Sequence, residues 1–231
     1  MPLPKLTHSM ESPVKPSIAT LEDANRYRQL AKLPYTDMIP FMQSIFQQRT
    51  NRVVRSYLAL NVVLLIGLTA IGAYQIGFQY VTFSTLFTHL FVGFGITFTL
   101  LIPVHEAIHG IAYKLAGAPR VSYGGNWRKF YFYAVADRFV IGGKAFHSVA
   151  LAPFLVISVA CVMGAVLLPS WQWVASGVLL LHTGACAGDF GMLAFYQQHR
   201  GGRIFTFDDV AAQTAYFYQE IYSPTAQEHI N

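Results

Sequence analysis

With 231 residues, 54% hydrophobic and only 12% charged, the chain is too poor in charge for an ordinary soluble domain, in which about a quarter of residues are charged. Its net charge of +5 requires no nucleic-acid partner, because basic segments flanking a bilayer and facing anionic lipid explain it. Cys161 and Cys186 lie in apolar stretches with no CxxC pair, which argues against a disulfide framework and for small buried hydrophobes.

Residues 1–18 (MPLPKLTHSMESPVKPSI) are Pro-rich and lack apolar periodicity, the composition of a disordered segment. Thr20 and Asp23 resemble a capping box opening a short helix through about Leu33, with Leu21, Ala24, Tyr27 and Leu30 along one side. Met38, Phe41, Met42, Ile45 and Phe46 then recur at helical spacing and predict a helix lying along the membrane interface. Residues 1–56 are polar and Pro-punctuated, so they read as a cytoplasmic tail and not a cleavable signal peptide. The first span is expected to act as an uncleaved anchor.

Residues 57–198 read as a four-span membrane domain. Tyr57–Tyr113 and Phe146–Gln198 contain no Lys or Arg, and each is long enough for two passes of about 20 residues. The predicted spans are about Tyr57–Gly77, Ser84–Tyr113, His147–Leu168 and Trp173–Tyr196, with breaks at GFQYVTF and LPSWQW where Gly, Pro and interfacial aromatics cluster. All sixteen Lys and Arg fall in residues 1–56, 114–146 and 197–231, eight, six and two respectively. The positive-inside rule therefore predicts that both termini and the central loop face the cytoplasm.

That loop, residues 114–146, has Gly-Gly at both ends of a run rich in Tyr, Phe and Val, which predicts one or two β-strands with a turn. In residues 199–231, Thr206 is a candidate cap, Asp208 and Asp209 suit a first turn, and Phe207, Val210, Ala211, Thr214, Phe217 and Ile221 form one apolar face. The expectation is a cytoplasmic amphipathic helix ended by Ser223-Pro224. The predicted fold class is thus an all-α polytopic membrane protein with a short β-like cytoplasmic loop and interfacial amphipathic helices.

Of eleven Asp and Glu, only Glu106 and Asp189 fall inside predicted spans, where an ionisable group is costly enough to suggest function. Glu106 precedes Lys114 by eight residues and Asp189 precedes Arg200 by eleven, so both lie roughly 10–16 Å from those basic residues at a rise of about 1.5 Å per residue. Glu106 is flanked by His105 and His109 in HEAIH, and residues four apart share a helix face, so both imidazoles can reach one ion. A zinc site keeps three protein ligands and an open position for water, which a neighbouring carboxylate can deprotonate. Asp189 is the one other acid in a span and the candidate third ligand. His182, seven residues before it, reads as a polar contact between helices, with second-shell partner or alternative ligand as the other readings. His89 lies too near the opposite side, and His147 sits at an interface.

HEAIHG on a spanning helix, the Gly/aromatic loop, ALAPF opening the next span and AGDF near the end of the last together resemble the bacterial zincin membrane peptidases. That family is distantly similar to the site-two intramembrane zinc metalloproteases. The resemblance covers about residues 84–196. It implies one zinc ion held by His105, His109 and Asp189, with Glu106 as general base, in a bacterial cytoplasmic membrane. The implied partners are the lipid bilayer and a membrane protein or peptide substrate cleaved near the cytoplasmic face. Pro153 stands where the wider group bends a helix around its site, and Val121–Tyr123 or Phe130–Val135 offers an edge for an extended substrate strand. The sequence departs from the site-two pattern in carrying Gly188-Asp189-Phe190-Gly191 without a preceding Asn-Pro, and in lacking a PDZ-like insertion. Two alternatives remain at this point. A di-iron hydroxylase needs several histidine boxes, whereas the eight histidines here are dispersed. A catalytically inactive metal-binding scaffold or regulatory protein would have no need for Glu106.

Overall fold

The computed structural model describes residues 15–126, 128 and 131–221. A short helix α1 (Ile18–Leu21) leads to strand β1 (Tyr27–Pro34) and helix α2 (Met38–Phe46). Helix α3 (Arg52–Gly77) is the first of the helices long and apolar enough to cross a membrane. The second is the run Phe83–Leu115, built from α4 (Phe83–Ile96), a π-helical turn (Thr97–Leu101) and α5 (Ile102–Leu115). A hairpin of β2 (Ser122–Asn126) and β3 (Tyr131–Val135) follows, then a two-residue strand β4 (Ile141–Gly142). The third membrane-length helix is α6 (Gly143–Leu167). Helices α7 (Gln172–Ala185) and α8 (Ala187–Gln198) make a fourth candidate pass with a 40° bend. Strands β5 (Ile204–Asp209) and β6 (Thr214–Glu220) close the described chain.

The helices carry the signatures of lipid contact. Val63 and Ile66 on α3 and Phe83 and Phe91 on α4 face outward, far more apolar surface than a soluble fold leaves open. Helix α4 crosses α7 through facing glycines. A Cβ at Gly93 would overlap the Val174 carbonyl, and one at Gly177 the Leu90 carbonyl, so only hydrogens allow the two backbones this close. Asn51 caps α3 by accepting from the Val53 and Val54 amides, while its Nδ2 donates to the Ala194 carbonyl and ties α3 to α8. Pro103, at the start of α5, lacks an N–H and crowds the carbonyl four residues earlier, which the wider π turn just upstream accommodates. Cys161 and Cys186 are both buried and unpaired, as expected.

The all-α expectation is corrected by six strands in two sheets. The expected hairpin forms, with Ser122 opposite Val135 and Asn126 opposite Tyr131. The two tails differ from expectation. The helix predicted from Thr20 to Leu33 stops at Leu21, capped by Ser17, whose hydroxyl accepts from the Thr20 amide. The amphipathic helix predicted across Thr206–Ile221 is the β5–β6 hairpin; Ser223-Pro224 lies outside the described residues, as do residues 1–14. A four-stranded antiparallel sheet runs β1-β6-β5-β4. The physical reason is a period of two. Phe205, Phe207, Tyr218 and Tyr27 pack with Leu21 on one face, whereas Ile204, Ala215, Phe217 and Leu33 join the main core on the other. This sheet joins both flanks to β4, so all three basic segments of the sequence lie at one end of the helices.

Candidate metal centre

His105, Glu106 and His109 sit in the middle of α5, and Asp189 is the third residue of α8. The continuous fourth span expected from sequence is instead broken at Cys186, and the break has a consequence for Asp189. It places that carboxylate in the first turn of a helix, where unpaired amides and the helix dipole favour negative charge. The small residues Gly184, Ala185, Cys186, Ala187 and Gly188 permit the bend. The carbonyls freed there are not left bare, since the Tyr57 hydroxyl is shared between those of Thr183 and Gly184 at 2.9 and 2.7 Å.

The structure brings all four sequence-derived site residues together. His105 Nε2 and His109 Nε2 are 3.1 Å apart, His105 Nε2 is 3.4 Å from Asp189 Oδ2, and His109 Nε2 is 3.2 Å from Asp189 Oδ1. The tautomers follow from the other ring nitrogens. His109 Nδ1 is 3.0 Å from the Val149 carbonyl, which only accepts, so that nitrogen carries the proton and Nε2 keeps its lone pair. His105 Nδ1 meets His182 Nε2 at 3.1 Å. With the Nδ1 proton of His105 directed to His182, two imidazole lone pairs and a carboxylate converge, an arrangement that a cation at its centre would satisfy. Zinc bonds of about 2.0–2.2 Å in a tetrahedron give ligand-to-ligand edges of roughly 3.3–3.6 Å, close to these separations. The donor set of two imidazoles and one carboxylate fits a zinc ion with one open position.

Glu106 Oε2 is buried with no hydrogen-bond partner among the described residues. A buried carboxylate oxygen without a partner is costly unless something is meant to meet it, and Glu106 is among the residues that line a cavity. The cavity has a volume of about 590 Å³, within the range of ligand sites, and is walled by α2, α5, β3, α6, α8 and the β5–β6 hairpin. Of the two segments expected to offer a substrate edge, β3 lines this cavity through Phe132–Val135, whereas Ser122 and Tyr123 line a smaller one elsewhere. Gly110, directly after the motif, lets the hairpin approach, because a Cβ there would overlap the Tyr123 phenol.

His182 is a contact between helices, as expected, and its partner is a site residue. It is 2% exposed, and Cys186 Sγ lies 3.6 Å from its Nε2. His147 stays apart, edge-on to Tyr196, and Pro153 is buried within α6. Two residues that border the cavity were missed from sequence: Asp208 on β5 and Tyr35, whose hydroxyl donates to Asp208 Oδ1 at 3.2 Å. Asp208 reads as a helix first-turn acid under a 3.6 period, but a period of two would have put Ile204, Thr206 and Asp208 on one face.

Residues 98–201 match the model of a family described as "Putative zincin peptidase". The matched segment runs from the π turn through α8 and carries His105, Glu106, His109 and Asp189; β5 and Asp208 lie beyond it. No curated protein and no solved structure matches the chain.

Proposed function

We propose that this protein is a membrane-embedded zinc metallopeptidase that cleaves a membrane-associated or transmembrane protein near the cytoplasmic face, distantly similar in type to the site-two proteases. The observation that carries this reading is the pairing of a three-donor cluster at tetrahedral spacing with the partnerless Glu106 Oε2 beside it. The family match supports metallopeptidase chemistry in general. His105, His109 and Asp189 hold the ion, which when bound supplies Lewis acidity and an acidified water.

The chain's own residues do the rest. Val149 and His182 hold the two imidazoles in register, so their Nε2 lone pairs stay aimed at one point. Glu106 would take a proton from the attacking water, whose oxygen bonds to the peptide carbonyl carbon, and deliver it to the leaving amine nitrogen as the C–N bond breaks, yielding a carboxylate and an amine. An extended substrate backbone pairs along β3 and crosses the cavity, with the apolar walls excluding bulk water. Basic segments grouped at the sheet end favour that end as the cytoplasmic one, so water and substrate enter without crossing the lipid core.

The test compares membrane proteomes of cells carrying wild-type or Glu106→Gln protein. A protein fragment present with wild-type, and replaced by its uncut precursor with the variant, is the expected result. Identical proteomes, together with no cleavage of any protein by the purified zinc-loaded enzyme, would leave the metal-binding scaffold as the better reading.

A further inference from the structure

The cavity has a second polar end that the proposed reaction does not use. Strand β5 turns Ile204, Thr206 and Asp208 toward the helices, and the neighbouring residues on β6, Ala215 and Phe217, are apolar. A carboxylate on the core-facing side of a sheet breaks the pattern that built the sheet. It is not needed for strand pairing, since the contact that Asp208 makes with Arg138 runs from the Arg138 amide to the Asp208 backbone carbonyl. Among the described residues, the Asp208 side chain has one bond, from the Tyr35 hydroxyl, and no cation. Arg138, the nearby base, pairs with Asp209 instead. Among the described residues, three carboxylates border the cavity, Glu106, Asp189 and Asp208, and no Lys or Arg does. The proposed reaction uses the first two, Asp189 as a ligand and Glu106 as the base.

We propose that Asp208 forms a subsite for an ammonium group of the substrate, either a lysine side chain or a free N-terminus, at the sheet end of the cavity whose other end holds the metal ligands. The ligand being a peptide rests on the peptidase reading; its positive charge rests on the cavity. Tyr35, Tyr113 and Phe217 border the same space, and aromatic faces beside a carboxylate favour a cation over a neutral donor. Burial, with Asp137 nearby, lifts the Asp208 carboxyl to about 7, the mark of an acid lacking its counter-charge.

The test measures binding, so that it does not depend on turnover. Zinc-loaded Glu106→Gln protein in detergent is titrated calorimetrically with three pentapeptides: N-acetylated Leu-Leu-Lys-Leu-Leu amide, its norleucine counterpart, and the norleucine peptide with a free N-terminus. At least one ammonium peptide should bind about 10-fold or more tightly than the acetylated norleucine peptide, as a charge-assisted bond in a dry site gives. Which one does so identifies the source of the ammonium. The advantage should fall below about 2-fold when Asp208→Asn is added, and equally with Asp208→Ser, in protein that keeps its zinc and its Tm. Equal affinities for the three peptides, no binding of any, or an advantage that survives both substitutions would overturn the subsite. If the preference holds but the wild-type enzyme cleaves no peptide or protein, the peptidase reading fails and the subsite stands.

Discussion

His182 Nε2 lies 3.1 Å from His105 Nδ1, joining α7 to the metal-facing helix through a single side-chain contact. With His105 Nε2 turned toward His109 and Asp189, a proton on its Nδ1 would go to His182, whose own Nδ1 lies 4.0 Å from Cys186 Sγ. His182 is therefore a positioning residue. His182→Ala should weaken zinc affinity by about 10–100-fold, the usual cost of removing such a partner, without unfolding the protein. His182→Asn, which retains an acceptor, should recover part of it. A chelator competition assay on the two variants checks both; unchanged affinity in His182→Ala would show that His105 needs no orienter.

The crossing of α4 and α7 depends on Gly93 and Gly177, each facing a backbone carbonyl of the other helix. Backbone cannot rotate aside as a side chain can. Gly177→Ala should cost about 1–3 kcal/mol, and Tm in detergent should fall by roughly 2–4 °C per kcal/mol. Because α7 also carries His182, zinc affinity should fall in the same variant.

The helical part of this fold was legible because spanning helices need long apolar runs, and Arg52–Gly77 and Gly143–Leu167 are long and apolar enough to cross a membrane. His105, Glu106 and His109 were legible because a charged triplet at helical spacing in such a run has few explanations. Asp189 was found by elimination, but the helix break that puts it in a first turn was not, since Gly184–Gly188 is apolar enough to pass as continuous helix. The tails were misread for a definite reason. Phe207, Val210, Ala211, Thr214 and Phe217 satisfy a helical stripe, but a turn at Val210–Gln213 interrupts it and the flanking segments alternate. Strand pairing between residues near 30 and near 217 is a long-range contact that no local pattern announces. Asp208 was lost with it.

Asp208 also gives a pH signature. Its folded-state carboxyl sits at about 7, against about 3.9 in an unfolded chain, because burial disfavours the charge. Between those values the folded state binds the extra proton, so this group's contribution to stability falls as pH rises from about 4 to about 7 and is flat above. Wild-type protein should lose Tm between pH 5 and pH 8 relative to Asp208→Asn, which lacks the titration. Parallel slopes for the two proteins across that window would show that Asp208 carries its charge without penalty.

The most direct measurement is zinc content per chain, by elemental analysis of purified wild-type, His105→Ala, His109→Ala, Asp189→Ala and Glu106→Gln proteins. The three donors converge within 3.4 Å of one another, and Glu106, with its Oε2 buried and unpartnered among the described residues, lines the adjoining cavity. Wild-type and Glu106→Gln should hold about one zinc each, and the other three should hold close to none. Full zinc in Asp189→Ala, or its loss in Glu106→Gln, would contradict the assignment of ligands and base.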